Sequence, residues 1–509
     1  MTGLGRRVAS SAAWSSGGVV LTKVGQFGVG IVAARLLAPH DFGVFAVTLI
    51  VYSIVVNVSE LGVGSAVIRH SGPVDDLVRT AVTVAVATSA LLALIMFGSS
   101  APLAGLLGAP AATAPIAVMS IAVLLAGPSA IPSALLTREF RQDLRFRADA
   151  LNFVVGSATL ILFAVWGWGA LAFAWSRVAG QLVSTVALIL MAPKVRPGFH
   201  SEQARALVQF GMPMVGANLT GYAIGTVDVI ALGRMRGAVP LGYFTLANNV
   251  ASWPLGFSQS VLFNLGLPLL SRAKNDARLF ARYLSTALRT STGLFFFVAA
   301  MCSALAAPLI QTLYGERWAA AAPVLALLAV YGAARTVLAL LFDAIVASGS
   351  PRLLFWVQAL WLVLLIPAMI GSVALWGLEG AALADAGIAA LVVVPASLLA
   401  VRMASRIAVG PLAAGLVWPT IASVASGLVA WGVASLLPQL PWLGLVLGGL
   451  AGAAAYGILM ARWLRRLYTD VRGTRDGTAV EVPETAGDVV VAAAAADAPT
   501  GGRTKEESR

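Results

Sequence analysis

Charge is what this chain has least of. Of its 509 residues only 11% are Asp, Glu, Lys or Arg, against 59% hydrophobic. A soluble globular chain carries about 25% charged residues, and no soluble interior is large enough to hide this much apolar side chain, so the solvent is lipid. Cysteine is nearly absent. Cys302 lies inside an apolar run, which excludes a disulfide framework and a cysteine-built metal site. The three histidines, His40, His70 and His200, fall between apolar runs and far apart, so neither a metal site nor a Ser–His–Asp arrangement can be read from them. No metal and no cofactor are expected. A cleavable leader is not evident either: the first apolar segment follows Arg6 and Arg7 and runs on without a small-residue cleavage site.

What is present is a series of apolar runs. A helix needs about 20 apolar residues to cross the hydrocarbon core. Fourteen such runs are read, at about 13–34, 43–67, 80–101, 113–136, 150–167, 170–192, 207–233, 243–267, 291–313, 321–347, 353–375, 380–401, 412–436 and 441–461. The fold class expected is therefore an all-α polytopic membrane protein. Basic residues fix its orientation. With Arg6 and Arg7 inside, the inner loops carry Arg138, Arg141, Arg145 and Arg147, then Arg272, Lys274, Arg278, Arg282 and Arg289, then Arg402 and Arg406. The outer loops carry only Arg35, Arg234, Arg236 and Arg317. Both termini are expected in the cytoplasm. Trp166, Trp168, Trp376 and Trp442 fall at outer span ends, where interfacial aromatics belong. The +12 net charge thus reads as inner-loop bias and attraction to anionic phospholipids, not as a nucleic-acid surface. The outer loops reach only about a dozen residues, too short for the loop-borne catalytic groups of a membrane glycosyltransferase or polymerase, so a transporter rather than an enzyme is expected.

The chain repeats itself. "RLLAPHDFGVFAV" places Arg35 eight residues before Gly43, and "RMRGAVPLGYFTL" places Arg234 eight before Gly242. Each corner carries a proline ahead of the glycine, Pro39 and Pro240, and an aromatic two residues after it, Phe45 and Phe244. A proline sets the turn, and a glycine lets the next helix pack closely. Six spans separate the corners, so the halves share one topology and are related by an axis along the membrane normal. The domains expected are 1–206 and 207–402, two six-helix lobes, then 403–466, two further helices, and 467–509, a disordered cytoplasmic tail.

Ionisable residues inside spans cost roughly 2.5–3.5 kcal/mol each and mark function. Lys23 and Gln26 share a face with Gly30. Glu60 follows Asn57. Arg177, Gln181 and Ser184 form a stripe, as do Tyr331, Arg335 and Asp343. Asp228 and Asp385 lie near outer span ends. Polar stripes avoid lipid, so these residues are expected to line one shared cavity. Its cations suit an anionic ligand, and its carboxylates suit ion coupling. Pairing among these residues as simple bundle glue is the alternative.

The segments "LTKVGQFGVGIVAARLLAPHDFGVFAVTLIVYSIVVNVSELGVGSAVIR", "FGMPMVGANLTGYAIGTVDVIALGRMRGAVPLGYFTLANNVASWPLG" and "LGLPLLSRAKND" resemble Wzx-type polysaccharide flippases of the multidrug/oligosaccharidyl-lipid/polysaccharide superfamily, over about residues 5–460. The resemblance implies two lobes about a central cavity. It also implies movement of a polyprenyl-pyrophosphate-linked oligosaccharide to the outer leaflet of a bacterial cytoplasmic membrane, alongside a polysaccharide polymerase and glycosyltransferases. It implies that Lys23 engages the pyrophosphate, with the other cationic role falling to Arg177 or Arg335. The polar stripes make Lys23, Gln26, Arg177, Gln181, Tyr331 and Arg335 the expected substrate contacts and Glu60, Asp228, Asp343 and Asp385 the expected coupling carboxylates. The second lobe has Asp228 and Tyr222 where a matching cation would stand. A lipid-linked peptidoglycan-precursor flippase and a multidrug or cation antiporter of the same fold are the alternatives.

Overall fold

A computed structural model describes residues 22–60, 63–69, 75–139, 141–262, 270, 271, 273 and 276–477. All of its regular structure is helical. In chain order the helices are α1 (22–36), α2 (Pro39–Glu60), α3 (Val63–Arg69), α4 (Asp75–Gly98), α5 (Ser100–Leu106), α6 (Thr113–Arg138), α7 (Gln142–Val165), α8 (Ala170–Met191), α9 (Ser201–Ile224) and α10 (Val227–Arg236). There follow α11 (Ala238–Leu262), α12 (Ala277–Ala304), α13 (Ala306–Tyr314), α14 (Ala321–Ala347), α15 (Pro351–Ile388), α16 (Val394–Ser405), α17 (Gly410–Ser435) and α18 (Pro441–Gly477).

Ten described segments are long and apolar enough to cross a membrane. The difference from the fourteen runs has local causes. The first run begins outside the described residues, and its described part, α1, has only fifteen residues. The run 207–233 is broken at Gly225 and Thr226 into α9 and α10. The run 243–267 ends outside the described residues. The runs 353–375 and 380–401 join into one helical segment, Pro351–Ser405, of 55 residues. Straight, it would measure about 82 Å, far more than the roughly 30 Å hydrocarbon core. It reverses instead at Gly377, whose φ of 60° and ψ of −127° lie outside helical space. The reversal is tight: a Cβ on Gly380 would stand 2.0 Å from the Ser372 carbonyl oxygen. The run 291–313 also divides, at Leu305, into α12 and α13.

α12 begins fourteen residues before its predicted run. Asp276 caps it, its carboxylate accepting from the backbone N–H groups of Arg278 (2.9 Å) and Leu279 (3.1 Å). Phe280, Leu284 and Leu288 then bury one face at four-residue steps. Helical serines and threonines satisfy themselves on carbonyls three or four residues back, as Thr48 does on Val44 and Ser397 on Val393. α18 runs on as helix through residues 467–477, where the sequence reading begins its tail; 478–509 lie outside the described residues.

α4 packs on α6, α6 on α8 and α8 on α7. Further along the chain α12 packs on α14 and α17, and α17 on α18. Between these sets, α2 crosses α11. The crossing joins the two repeated corners. A Cβ on Gly43 would lie 1.8 Å from the Ala238 carbonyl oxygen, and one on Gly242 would lie 1.7 Å from the Pro39 carbonyl oxygen. Each glycine thus rests on the backbone four residues before the other. The end of the molecule holding this crossing is called the corner end. α12 runs toward it, and α18 runs away from it, from Gly448 beside Leu305 to Trp463 beside Gly293.

Gly43→Ala and Gly242→Ala are expected to destabilise the protein by about 1–3 kcal/mol, the cost of overpacking where the opposing atom is backbone. Thermal unfolding of the detergent-solubilised protein checks this. Gly28→Ala, inside α1 where an added methyl meets nothing within 4 Å, should not lower the midpoint, because alanine is the better helix former.

Candidate functional site

A cavity of 1120 Å³ lies against the crossing, walled by α1, α7 and α8, with α11 opposite. α1 contributes Lys23, Gln26, Gly30 and Ala33, spaced three or four residues apart as one helical face requires. α7 contributes Gln142, Arg145, Asp149, Asn152 and Gly156 at the same alternating steps, and ends its wall at Leu160. From Gln142 to Leu160 the wall rises about 27 Å, close to the thickness of the apolar core. α8 adds Phe173, Ser176 and Arg177, and α11 adds Leu246, Asn249 and Ser252. Phe42 and Tyr314 close the lining toward the corner end.

The cavity is electropositive, with Lys23, Arg145 and Arg177 against Asp149 alone. Among the described residues no lysine or arginine comes within 4.0 Å of a carboxylate. The ion pairs are histidine contacts, His40 with Asp41 at 3.9 Å and His200 with Asp76 at 4.0 Å. Arg177 lies 5.3 Å from the centroid of the Tyr52 ring, which supports the guanidinium without neutralising it. Asp149 is one turn from Arg145 and within its field. Such a wall, with amides and hydroxyls between the cations, can hold a multiply charged anion bearing polar substituents.

A second polar group lies away from the cavity. Asp228 on α10, Tyr331 and Arg335 on α14 and Asp385 on α15 interact electrostatically with one another. The Arg335 guanidinium stands 5.5 Å from the centroid of the Tyr331 ring. Asp385 is buried, and Asp228 accepts the backbone N–H of Val229 at 2.8 Å.

The single shared cavity read from the sequence is thus two sites. Lys23, Gln26 and Arg177 line the cavity; Tyr331 and Arg335 do not, and join Asp228 and Asp385 instead. Gln181 is absent from the lining. One turn beyond Arg177, its amide donates to the Ser129 hydroxyl on α6 at 3.2 Å. Asp343 sits two turns beyond Arg335, outside the second group. The Glu60 side chain lies outside the described residues. Of the corner residues, Gly43 and Gly242 make the crossing. Arg35 donates to backbone carbonyls of Thr312 and Leu313, whereas Arg234 makes no hydrogen bond or ion pair among the described residues. Arg236 takes that part, donating to the Val373 and Ala374 carbonyls. Sequence reading missed Arg145, Asp149, Asn152, Asn249 and Ser252. The stripe on α7 was available as a signal, at 142, 145, 149, 152 and 156, but its first half was read as a basic inner loop.

Comparison with known proteins fits this geometry. A family described as "Polysaccharide biosynthesis protein" matches residues 32–323. The succinoglycan biosynthesis transport protein ExoT of Rhizobium meliloti (strain 1021) is 27% identical over 390 residues, 74% of this chain and 75% of that one. The lipopolysaccharide biosynthesis protein WzxC of Escherichia coli (strain K12) is 22% identical over 380 residues, 72% of this chain and 75% of that one. Among solved structures, the lipid II flippase MurJ in an inward closed conformation superposes with a TM-score of 0.70 at 14% identity, covering 88% of this chain and 100% of that one. This likeness is one of fold.

In a Cys302→Ala background, Asn152→Cys is expected to react several-fold faster with an anionic thiosulfonate than with its cationic analogue, after correction for intrinsic rates. Arg145→Gln should reduce that preference. Equal corrected rates would mean that the cavity carries no positive field.

Proposed function

The chain belongs to the polysaccharide biosynthesis protein family, and from that premise we propose that it flips a polyprenyl-pyrophosphate-linked oligosaccharide from the inner to the outer leaflet of the bacterial cytoplasmic membrane. It is a multi-pass membrane transport protein of polysaccharide biosynthesis with a MurJ-like fold. The observation that carries the finer reading is the cavity wall of Lys23, Arg145 and Arg177, three cations with no carboxylate within ion-pair distance among the described residues. A charged headgroup crosses bare lipid only at prohibitive cost, because every charge must shed its water. In this reading the three cations and the amides of Gln26, Asn152 and Asn249 replace that water for the pyrophosphate and sugars. The prenyl tail stays in lipid.

Alternating access supplies the movement. Residues 1–206 and 207–402 act as two lobes related by the axis through the glycine crossing, with 403–466 as two further spans. In this reading the apolar runs make fourteen crossings and the basic loops put both termini inside, so that the corner end is the outer face. The second polar group, Asp228, Tyr331, Arg335 and Asp385, is the coupling element: carboxylates beside an arginine inside one lobe respond to an ion without touching the substrate. Membrane potential alone is worth about 2.3 kcal/mol per charge per 100 mV. A cation antiporter of the same fold would want a net negative cavity, and the lining here has the opposite sign.

Removal of the protein is expected to trap lipid-linked oligosaccharide in the inner leaflet, read by its accessibility to a membrane-impermeant glycan probe. Lys23→Ala combined with Arg177→Ala should lower outer-leaflet appearance at least about tenfold, the loss of one charge-assisted contact or more. Unchanged sidedness without the protein removes the flippase reading. Accumulation of a peptidoglycan precursor instead would transfer it to that substrate.

A further inference from the structure

The corner end is closed by more than the glycine crossing. α1 and α13 end beside each other, and each leaves carbonyls of its last turn without an intrahelical partner. Arg35, at the end of α1, donates from Nε to the Leu313 carbonyl at 2.9 Å and from Nη2 to the Thr312 carbonyl at 2.6 Å. Arg317, just beyond α13, returns the interaction: its Nη2 donates to the Ala34 carbonyl at 2.8 Å and also to the Arg35 carbonyl. Trp318 is fully buried and donates its indole N–H to the same Ala34 oxygen at 2.8 Å. Its ring packs edge-on against Phe42 at 5.0 Å and Tyr243 at 5.9 Å. Each arginine thus caps the helix end of the opposite half of the chain, where the helix dipole favours a cation.

We propose that Arg35, Arg317 and Trp318 form a latch between the two halves, which holds the corner end of the cavity shut and releases when that end opens. Two features suit a contact made to be broken. Its acceptors are backbone carbonyls, which water satisfies as soon as the halves part, so neither state strands a buried charge. The closed state also keeps one defect. The Thr312 hydroxyl, beside the carbonyl that Arg35 holds, is buried with no hydrogen-bond partner among the described residues, and opening would wet it. The latch rests on the alternating-access reading for its role in transport, but its effect on closure can be measured separately.

The test uses the full chain in vesicles with Cys302→Ala and a reporter, Asn249→Cys, on the cavity wall. With the latch intact, an impermeant thiol reagent modifies the reporter from one face of the membrane only. Arg35→Ala and Arg317→Ala, separately and together, are expected to make it reactive from the opposite face, with a rate rise of at least several-fold. Retained reactivity from the first face shows that the variants are folded. A folded variant that stays unreactive from the opposite face overturns the latch. If either single variant misfolds, Trp318→Phe, which removes the indole N–H and keeps an aromatic ring, provides the same readout. Opening of the reporter, together with a chain that keeps Asn249 and, assayed separately, moves no lipid-linked glycan, would leave the latch standing and remove the flippase reading.

Discussion

A helix can rest on the backbone of another only where the residue making the contact carries no side chain, and the α2–α11 crossing depends on that. Gly43 sits on the backbone of Ala238, and Gly242 on that of Pro39. The reciprocity is that of a two-fold contact, in which residue i meets j and its equivalent meets the equivalent of i. The same offset relates Arg35 to Arg234 and Phe45 to Phe244, so the crossing lies where the repeated corners meet. Two straight helices that touch at one end diverge toward the other. The face of α11 that touches α2 at Gly242 continues through Leu246 and Asn249, and there it lines the cavity. The cavity lies between that face and α1, α7 and α8.

A chain this poor in charge treats each charge differently, and the treatment separates their roles. Arg35, Arg236 and Arg317 are bound to carbonyls at helix ends, at the corner end and near the Gly377 reversal. These hold helices together without any counter-ion. Lys23, Arg145 and Arg177 face open space, a placement that lipid would not tolerate and a water-filled cavity does. Arg335 lies among carboxylates inside the second half. Bundle glue of lysine–carboxylate pairs, the plain alternative for intramembrane charges, is not how the described cations are satisfied.

The apolar runs and the repeat were legible because lipid imposes a length and a composition on every span, and because the corner glycines are a steric requirement that no other residue meets. Breaks inside runs were less legible. Gly225 and Leu305 interrupt helices without a change in hydropathy, and Gly377 reverses the chain between two apolar stretches that differ little. For the site, one-helix stripes were readable and the assignment of stripes to cavities was not. Arg177 and Gln181 are one turn apart on α8, yet one faces the cavity and the other bonds Ser129 on α6. Nothing in the periodicity of α8 distinguishes them, because the difference lies in which neighbour packs there. Arg145 was hidden for another reason. It lies in a basic cluster that orientation alone explained, and only the start of α7 at Gln142 turns it toward the interior.

The reciprocal glycine crossing carries asymmetric chemistry on its two sides. All three cavity cations stand on α1, α7 and α8, whereas α11 offers an amide and a hydroxyl, Asn249 and Ser252. Under the proposed flippase function this division has a mechanical consequence. An anion clamped equally by both halves would bridge them and oppose every separation, so tight binding would come at the expense of movement. An anion held from one half, and touched by neutral polar groups from the other, leaves the second half free to tilt. In the proposed alternating-access cycle, the contacts that strengthen and weaken are those between the halves, made of carbonyls, amides and aromatic edges that water or a neighbour can replace at little cost. Strong electrostatics are kept within a half, and replaceable contacts between halves.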